Sequence, residues 1–158
     1  MQKSYSTIIS AADLELNFDR VYVIDCRADL VNDRYGFEAF NRGRIPGAKF
    51  VDLNRDLSGK PGERGRHPLP NRNNWLETVR NLGIRNNDQI VAYDDVGGMY
   101  AARFWWMMRW LGHENVALLD GGIQQWESKV ESGENPARPT KSYYSSSKML
   151  TKLIEIDE

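Results

Sequence analysis

The regular alternation of short apolar runs with helical patterns is the sequence feature that most constrains this fold. Runs of four or five residues rich in β-branched and aromatic side chains predict strands at 21–25, 48–51, 89–93 and 116–119. Apolar residues at helical spacing predict helices at 10–18, 37–41, 74–82, 99–111 and 122–130. Strands that alternate with helices predict a three-layer α/β/α domain, in which a mainly parallel sheet of about five strands lies between helices.

Composition excludes several classes of protein. The 158 residues are enough for one domain with a buried core, and 41% hydrophobic with 27% charged residues is a globular composition. A net charge of −1 favours neither a nucleic-acid partner nor a membrane surface. No apolar run approaches the ~18 residues of a spanning helix, and the first ten residues contain no apolar leader region.

The metal-binding and redox residues are few. Cys26 is the only cysteine, which excludes an internal disulfide, and only two histidines are present. We therefore expect no metal, no cofactor and a reducing, cytoplasmic location. Arg27 could lower the pKa of the Cys26 thiol and make it reactive, although a lone cysteine at a strand end is more often a small buried hydrophobe.

Two segments stand apart from the alternating pattern. Residues 54–72 combine several glycines, prolines and charges and predict a long surface loop, a kind of segment that often carries function. After 133 the chain becomes rich in Pro, Ser, Lys and Tyr, and an apolar rhythm resumes at 148. We expect one domain over 1–135, followed at 136–158 by an interdomain linker and the start of a second domain.

The most informative stretch joins the third predicted strand to the longest predicted helix. A loop of Asp95, Val96, Gly97, Gly98, Met99 and Tyr100 lies at this junction. Such a loop gathers unpaired backbone N–H groups in front of a helix N-terminus, and we call it the cradle loop because it can hold an anion. A nucleophile at its start would have its anionic form stabilised. The alternative is a plain connection whose glycines only permit the turn.

Several motifs resemble those of the rhodanese family. They are Gly-Arg-Ile-Pro-Gly-Ala at 43–48, with Arg44 in place of the usual His, Leu-Asp-Gly-Gly at 119–122 followed by Trp126, and Asp-Cys-Arg at 25–27. The Arg-Phe-Trp-Trp helix at 103–106 and the loop from 56–59 through 65–70 resemble the first domain of the two-domain thiosulfate and 3-mercaptopyruvate sulfurtransferases. The resemblance covers residues 5–135 and implies a rhodanese-like fold.

The resemblance also implies that this domain is catalytically inactive in isolation. Active rhodanese domains begin the cradle loop with a cysteine that carries sulfur as a persulfide, and counting back from Gly98 and Ala101 places Asp95 at that position. A carboxylate can neither attack a sulfane sulfur nor carry it. Asp95 would instead accept the N–H bonds of the loop and fill the cradle. No residue of this chain is then expected to be catalytic.

A partner is implied in turn. In the two-domain family a C-terminal catalytic rhodanese domain completes a cleft that binds a small sulfur-donor anion. His67 resembles a loop histidine that forms a relay with a carboxylate near that cleft. The carboxylate position is Asn54 here, with Asp52 nearby, which favours thiosulfate as the donor. Arg66 could attract the anion, whereas a solvated loop charge and an exposed loop histidine are the simpler interpretations.

Two further functions stay open at this stage. The chain could be a stand-alone inactive rhodanese domain that binds a partner. Alternatively, Asp94 and Asp95 could hold Mg²⁺ for phosphoryl transfer, but the Asp-x-Asp pattern of aspartate-nucleophile phosphatases is absent. The tryptophan-rich helix is expected to be core, with part of its surface available to a second domain.

Overall fold

The computed structural model describes residues 3–134 and 138–156. Its helices are α1 (Ala11–Leu16), α2 (Tyr35–Arg42), α3 (Arg72–Asn81) and α4 (Met99–Trp110). Its strands are β1 (Ile8–Ile9), β2 (Val21–Asp25), β3 (Lys49–Phe50), β4 (Gln89–Tyr93) and β5 (Val116–Leu119). The strands form one parallel sheet in the order β1-β5-β4-β2-β3. No helix of the described ranges is both long and apolar enough to cross a bilayer.

Helices cover both faces of the sheet. Apolar side chains of α3 and α4 pack in one cluster on one face, and those of α1 and α2 pack in a second cluster on the other. Alternate residues of β4 supply the two clusters: Ile90 and Ala92 face α3 and α4, whereas Val91 and Tyr93 face α1 and α2. The predicted three-layer α/β/α fold with a parallel five-stranded sheet is confirmed.

Local sequence explains where the two most informative helices begin. The Ser10 side chain accepts a hydrogen bond from the backbone N–H of Asp13 at 3.0 Å and caps α1, as the sequence predicts. Gly98 precedes α4 with φ of 90°, a left-handed conformation that glycine adopts without strain. This conformation turns the chain from β4 directly into α4, so the cradle loop stays short.

Two elements differ from the sequence-based prediction. Strand β1 was not predicted, because two residues are too short for a recognisable pattern. The predicted helix at 122–130 is wrong: a 3₁₀ turn spans Gly122–Gln125, and Trp126 is extended with φ of −83° and ψ of 105°. Trp126 packs against Phe18 with ring centroids 5.5 Å apart, so tertiary packing rather than helical periodicity determines this segment.

The predicted linker packs against the domain over much of its length. Tyr144 is buried, and its backbone oxygen accepts a 2.8 Å hydrogen bond from Arg80 Nε of α3. Leu150 donates its backbone N–H to Arg109 of α4 at 2.9 Å. Residues 138–151, which we call the C-terminal segment, therefore contribute to the packing of α3 and α4. The predicted domain boundary at 135/136 lies outside the described residues.

Candidate functional site

The cradle loop connects the carboxyl end of β4 to the N-terminus of α4 and surrounds a buried carboxylate. That carboxylate belongs to Asp94, which is fully buried. Its Oδ1 accepts the backbone N–H groups of Val96 at 3.0 Å and Gly98 at 2.8 Å. Its Oδ2 accepts those of Tyr100 at 2.9 Å and Ala101 at 3.0 Å. Four N–H donors thus converge on one anion, which is the geometry expected of an anion cradle.

The expectation that Asp95 fills the cradle is wrong. One carboxylate oxygen of Asp95 accepts a hydrogen bond from the Tyr35 hydroxyl of α2, and the other has no partner within the described residues. Side chains alternate between the two faces of the sheet along β4 and the two residues that follow it, and this alternation explains why Asp94 rather than Asp95 enters the cradle. Asp94 continues the face of Ala92 toward α4, and Asp95 continues the opposite face toward α2.

The remaining residues of the cradle loop divide between surface and core. Val96 and Met99 are about half exposed, whereas Tyr100 is buried in the cluster of α3 and α4. Gly97 and Gly98 both have positive φ, at 75° and 90°. The loop therefore presents two apolar side chains to solvent above its buried carboxylate.

A buried ion pair lies beneath the loop on its α2 side. Arg27 Nη2 is 2.6 Å from Asp25 Oδ2, and the Tyr93 hydroxyl donates to the same oxygen at 2.7 Å. Arg27 Nη2 also donates to the backbone oxygen of Gly43 at 2.7 Å. Because the partners are fully buried or nearly so, this network fixes the end of β2 next to the end of β4.

Cys26 does not have the properties of a reactive thiol. Its side chain is buried, and burial raises its pKa well above the ordinary value. The carboxylates of Asp25, Asp94 and Asp56 act in the same direction. The suggestion that Arg27 lowers this pKa is therefore wrong, because Arg27 is paired with Asp25.

His67 and Asn54 form a hydrogen-bonded pair on the long loop. The distance from His67 Nε2 to Asn54 Oδ1 is 2.9 Å, so an Nε2–H tautomer donates to the amide oxygen. Partial burial lowers the pKa of His67, and the charges of Arg66 and Arg103 lower it further. Near neutral pH the imidazole is therefore uncharged.

Asp52 and Arg66 do not join this pair directly. Asp52 Oδ1 accepts the backbone N–H groups of Asn54 at 2.9 Å and Arg55 at 2.7 Å, so it shapes the turn that carries Asn54. Arg66 is exposed and acts on His67 only through its charge. Asp52 therefore positions a member of the pair and does not supply the missing carboxylate.

The connection between β2 and α2 contacts one part of the site, and Tyr35 at the start of α2 contacts the other; sequence reasoning missed both contacts. Asp33 Oδ1 is 3.4 Å from Asn54 Nδ2, and Tyr35 donates to Asp95. The position of this connection at the carboxyl end of β2, beside β4, is the signal that could have identified it. Its residues Leu30 and Val31 are exposed, with 92% exposure for Val31.

Within residues 3–134 and 138–156, no three His, Cys, Asp or Glu side chains come close enough to hold a metal ion. Of the carboxylates next to the cradle, Asp94 and Asp25 are committed to other partners, and Asp95 keeps one oxygen without a partner among the described residues. Asp94 is saturated by backbone N–H groups, and Asp25 is paired with Arg27. The arrangement gives no support to the magnesium-dependent alternative.

A parallel sheet whose central strand leads into a cradle loop defines a single α/β domain with an anion cradle. The model of the rhodanese-like domain matches residues 10–129, and the chain belongs to this family. A "probable 3-mercaptopyruvate sulfurtransferase" of Pseudomonas aeruginosa is 42% identical over 123 residues, which are 74% of this chain and 43% of the relative. The mouse thiosulfate sulfurtransferase is 35% identical over 126 residues, covering 76% and 41% respectively.

Solved structures agree with this assignment. The crystal structure of the 3-mercaptopyruvate sulfotransferase SseA from Escherichia coli superimposes with a TM-score of 0.75 at 27% identity. The superposition covers 90% of this chain and 57% of SseA. The chain thus spans about half the length of the relatives that it matches. The resemblance to the N-terminal domain of two-domain sulfurtransferases, indicated by the motifs, is confirmed.

Proposed function

We propose that this domain is the non-catalytic half of a two-domain thiosulfate or 3-mercaptopyruvate sulfurtransferase. The observation that carries the proposal is the Asp94 carboxylate at the centre of the cradle. Sulfur transfer needs a thiolate that attacks a sulfane sulfur and then holds it as a persulfide. A carboxylate does neither, and the Cys26 thiol is buried outside the loop with a raised pKa.

In this proposal the domain forms one wall of an active site whose cysteine belongs to the other half. The carboxyl edge of the sheet presents four exposed apolar side chains on the loops after β2 and β4: Leu30, Val31, Val96 and Met99. Apolar side chains grouped at one edge are typical of a surface that a partner covers. More than half of the Pseudomonas relative lies outside the matched region, and this part is long enough for such a partner.

The His67–Asn54 pair supports thiosulfate as the sulfur donor. An amide oxygen orients a neutral imidazole but does not stabilise an imidazolium as a carboxylate would. A relay that moves a proton is therefore weakened in this chain. Thiosulfate donates sulfur to a cysteine thiolate with sulfite as the leaving group, and sulfite needs no proton at neutral pH. The positive charge of Arg66 would help to attract this dianion.

A reducing compartment such as the cytoplasm suits this protein. Its only thiol is Cys26, so the described fold depends on no disulfide.

The first experiment tests inactivity. The purified chain and its Cys26→Ser variant are incubated with thiosulfate and cyanide, and thiocyanate is measured. We expect both proteins to remain at the level of the protein-free reaction. Turnover by the wild-type chain that disappears in Cys26→Ser would contradict the proposal, since it would make Cys26 a sulfur carrier.

The second experiment tests whether the carboxyl edge of the sheet binds a second domain and so forms one wall of an active site. The ¹⁵N-labelled chain is titrated with the part of the Pseudomonas relative that this chain does not match, and amide NMR shifts are recorded. We expect shifts at Val31, Val96 and Met99, and none on the opposite edge of the sheet at Gln89. Unchanged spectra would favour the alternative of a stand-alone inactive domain that binds a different partner.

A further inference from the structure

An open, shallow cavity lies on the surface apart from the cradle, between α4, the end of the long loop and the residues that follow the C-terminal segment. Its volume is about 450 Å³. It is lined by Leu69, Arg103, Trp106, Lys152, Leu153 and Ile154. Two of these side chains are cationic and four are apolar, and none of the described lining residues is acidic. A lining of this kind suits an anion that carries an apolar body.

Arg103 is fixed in place by one edge of its guanidinium. Nε and Nη2 donate to the backbone oxygen of Leu57 at 3.0 and 2.8 Å. Nη2 also donates to the backbone oxygens of His67 at 3.0 Å and Pro68 at 3.1 Å. Nη1 has no acceptor in the described part of the chain and is not among its buried unsatisfied atoms. Nη1 is therefore not fully buried and has no hydrogen bond to the described residues, and its orientation is already set by the other two nitrogens.

The charge of Arg103 is not compensated by a carboxylate. Its partners are neutral backbone oxygens, and burial lowers its pKa without an opposing contribution from a described acidic group. Arg27 and Arg80 differ, because they bond Asp25 and Glu77. A half-buried cation without a counter-ion gains a charge-assisted hydrogen bond when an anion binds beside it.

We propose that this cavity binds the carboxylate of a small organic acid with a short aliphatic body. Nη1 of Arg103 and the ammonium of Lys152 hold the carboxylate, and Trp106 and Leu69 contact the aliphatic part. Since the guanidinium is immobilised before binding, little side-chain entropy is lost at that position. The site goes beyond the proposed function and does not depend on it, because none of its lining residues belongs to the cradle loop or to the His67–Asn54 pair.

Isovalerate is a suitable probe, because it combines a carboxylate with a branched aliphatic body. The ¹⁵N-labelled protein is titrated at constant ionic strength, and the Arg103 Nε–H and Trp106 indole signals are followed. We expect saturable shifts of both. Isovaleramide lacks the charge and sulfate lacks the apolar body, so each should bind at least about tenfold more weakly.

Two matched variants locate the site. Lys152→Met removes a lining cation without touching the contacts of Arg103, and Lys148→Met makes the same change at an exposed position outside the cavity. We expect isovalerate affinity to fall by about threefold to tenfold in Lys152→Met and to stay unchanged in Lys148→Met. The proposal fails if isovalerate gives no saturable shift, if Lys152→Met binds like the wild type, or if sulfate or isovaleramide binds as tightly.

Discussion

Replacing Asp94 with cysteine would place a thiol where four backbone N–H groups converge. In the wild type these groups bond the Asp94 carboxylate at 2.8 to 3.0 Å, and the side chain is fully buried. A thiolate at this position would accept some of the same bonds, so its pKa should fall below the usual ~8.5. This lowered pKa distinguishes the new thiol from the equally buried Cys26 thiol, whose pKa is raised, so the Asp94→Cys variant should take up one sulfane sulfur from thiosulfate.

The structure also indicates how much the free energy of unfolding falls when the Asp94 carboxylate is removed. The N–H groups of Tyr100 and Ala101 are buried, whereas water can partly reach those of Val96 and Gly98. Hydrogen bonds to a charged group contribute about 1.5–3 kcal/mol each, so loss of the two buried ones alone predicts about 3–6 kcal/mol for Asp94→Ala. Asp95→Ala removes a carboxylate with one hydroxyl donor and should cost only about 1 kcal/mol.

The assay uses Asp94→Cys and Asp95→Cys, each in a Cys26→Ser background. Each protein is incubated with thiosulfate, and intact mass spectrometry is used to detect the gain of one cyanide-labile sulfur atom. We expect uptake by Asp94→Cys only, with urea denaturation confirming that both variants are folded. Uptake by Asp95→Cys alone would refute the reasoning, since it would make the position counted from the loop motif the true sulfur position.

Three further predictions concern stability. Gly122→Ala should cost about 2 kcal/mol or more in urea denaturation, because φ is +70° and the new Cβ would lie 2.4 Å from the backbone oxygen of Asp94; Gly133→Ala, with positive φ but open space, should cost only about 1 kcal/mol. Burial lowers the pKa of His113 below the ordinary histidine value of 6.5. Around and below pH 6.5 the unfolded chain therefore binds more protons than the folded chain, so stability should fall as the pH drops from 7.5 to 5.5, and less steeply in His113→Gln. Equal slopes would contradict this. Tyr35→Phe removes the described donor to the Asp95 carboxylate and should lower the free energy of unfolding by about 1–2 kcal/mol; an unchanged denaturation midpoint would show that water replaces it.

The sequence was sufficient to predict the architecture, because an α/β fold produces two independent patterns in the sequence, one from its strands and one from its helices. Buried parallel strands appear as short β-branched runs, and the helices between them begin at recognisable residues such as Ser10 and Gly98. Strand β1 and the turn at 122–125 were not predicted, because β1 has only two residues and the residues of the turn follow a helical pattern. Their conformations depend on contacts with distant residues, such as the packing of Trp126 on Phe18, rather than on local pattern.

The candidate site was predictable in location but not in detail. The cradle loop and His67 were identified from the sequence, yet the loop motif alone selected Asp95 instead of Asp94. The periodicity of β4 holds the missing information, since Ala92 and Asp94 share the face that meets α4. Asp33 and Tyr35 could not be identified from local pattern, because they join the site only through the neighbouring positions of β2 and β4 in the sheet.

The C-terminal segment has a mechanical consequence. It is bound to α3 through Arg80 and to α4 through Leu150, and Thr151 donates its hydroxyl to the backbone oxygen of Trp106 at 3.2 Å. A segment attached at several points cannot act as a swivel. A force on its far end would act on α4 through the bonds of Leu150 and Thr151. The first turn of α4 bonds the Asp94 carboxylate, so the same force would be transmitted along the helix to the cradle.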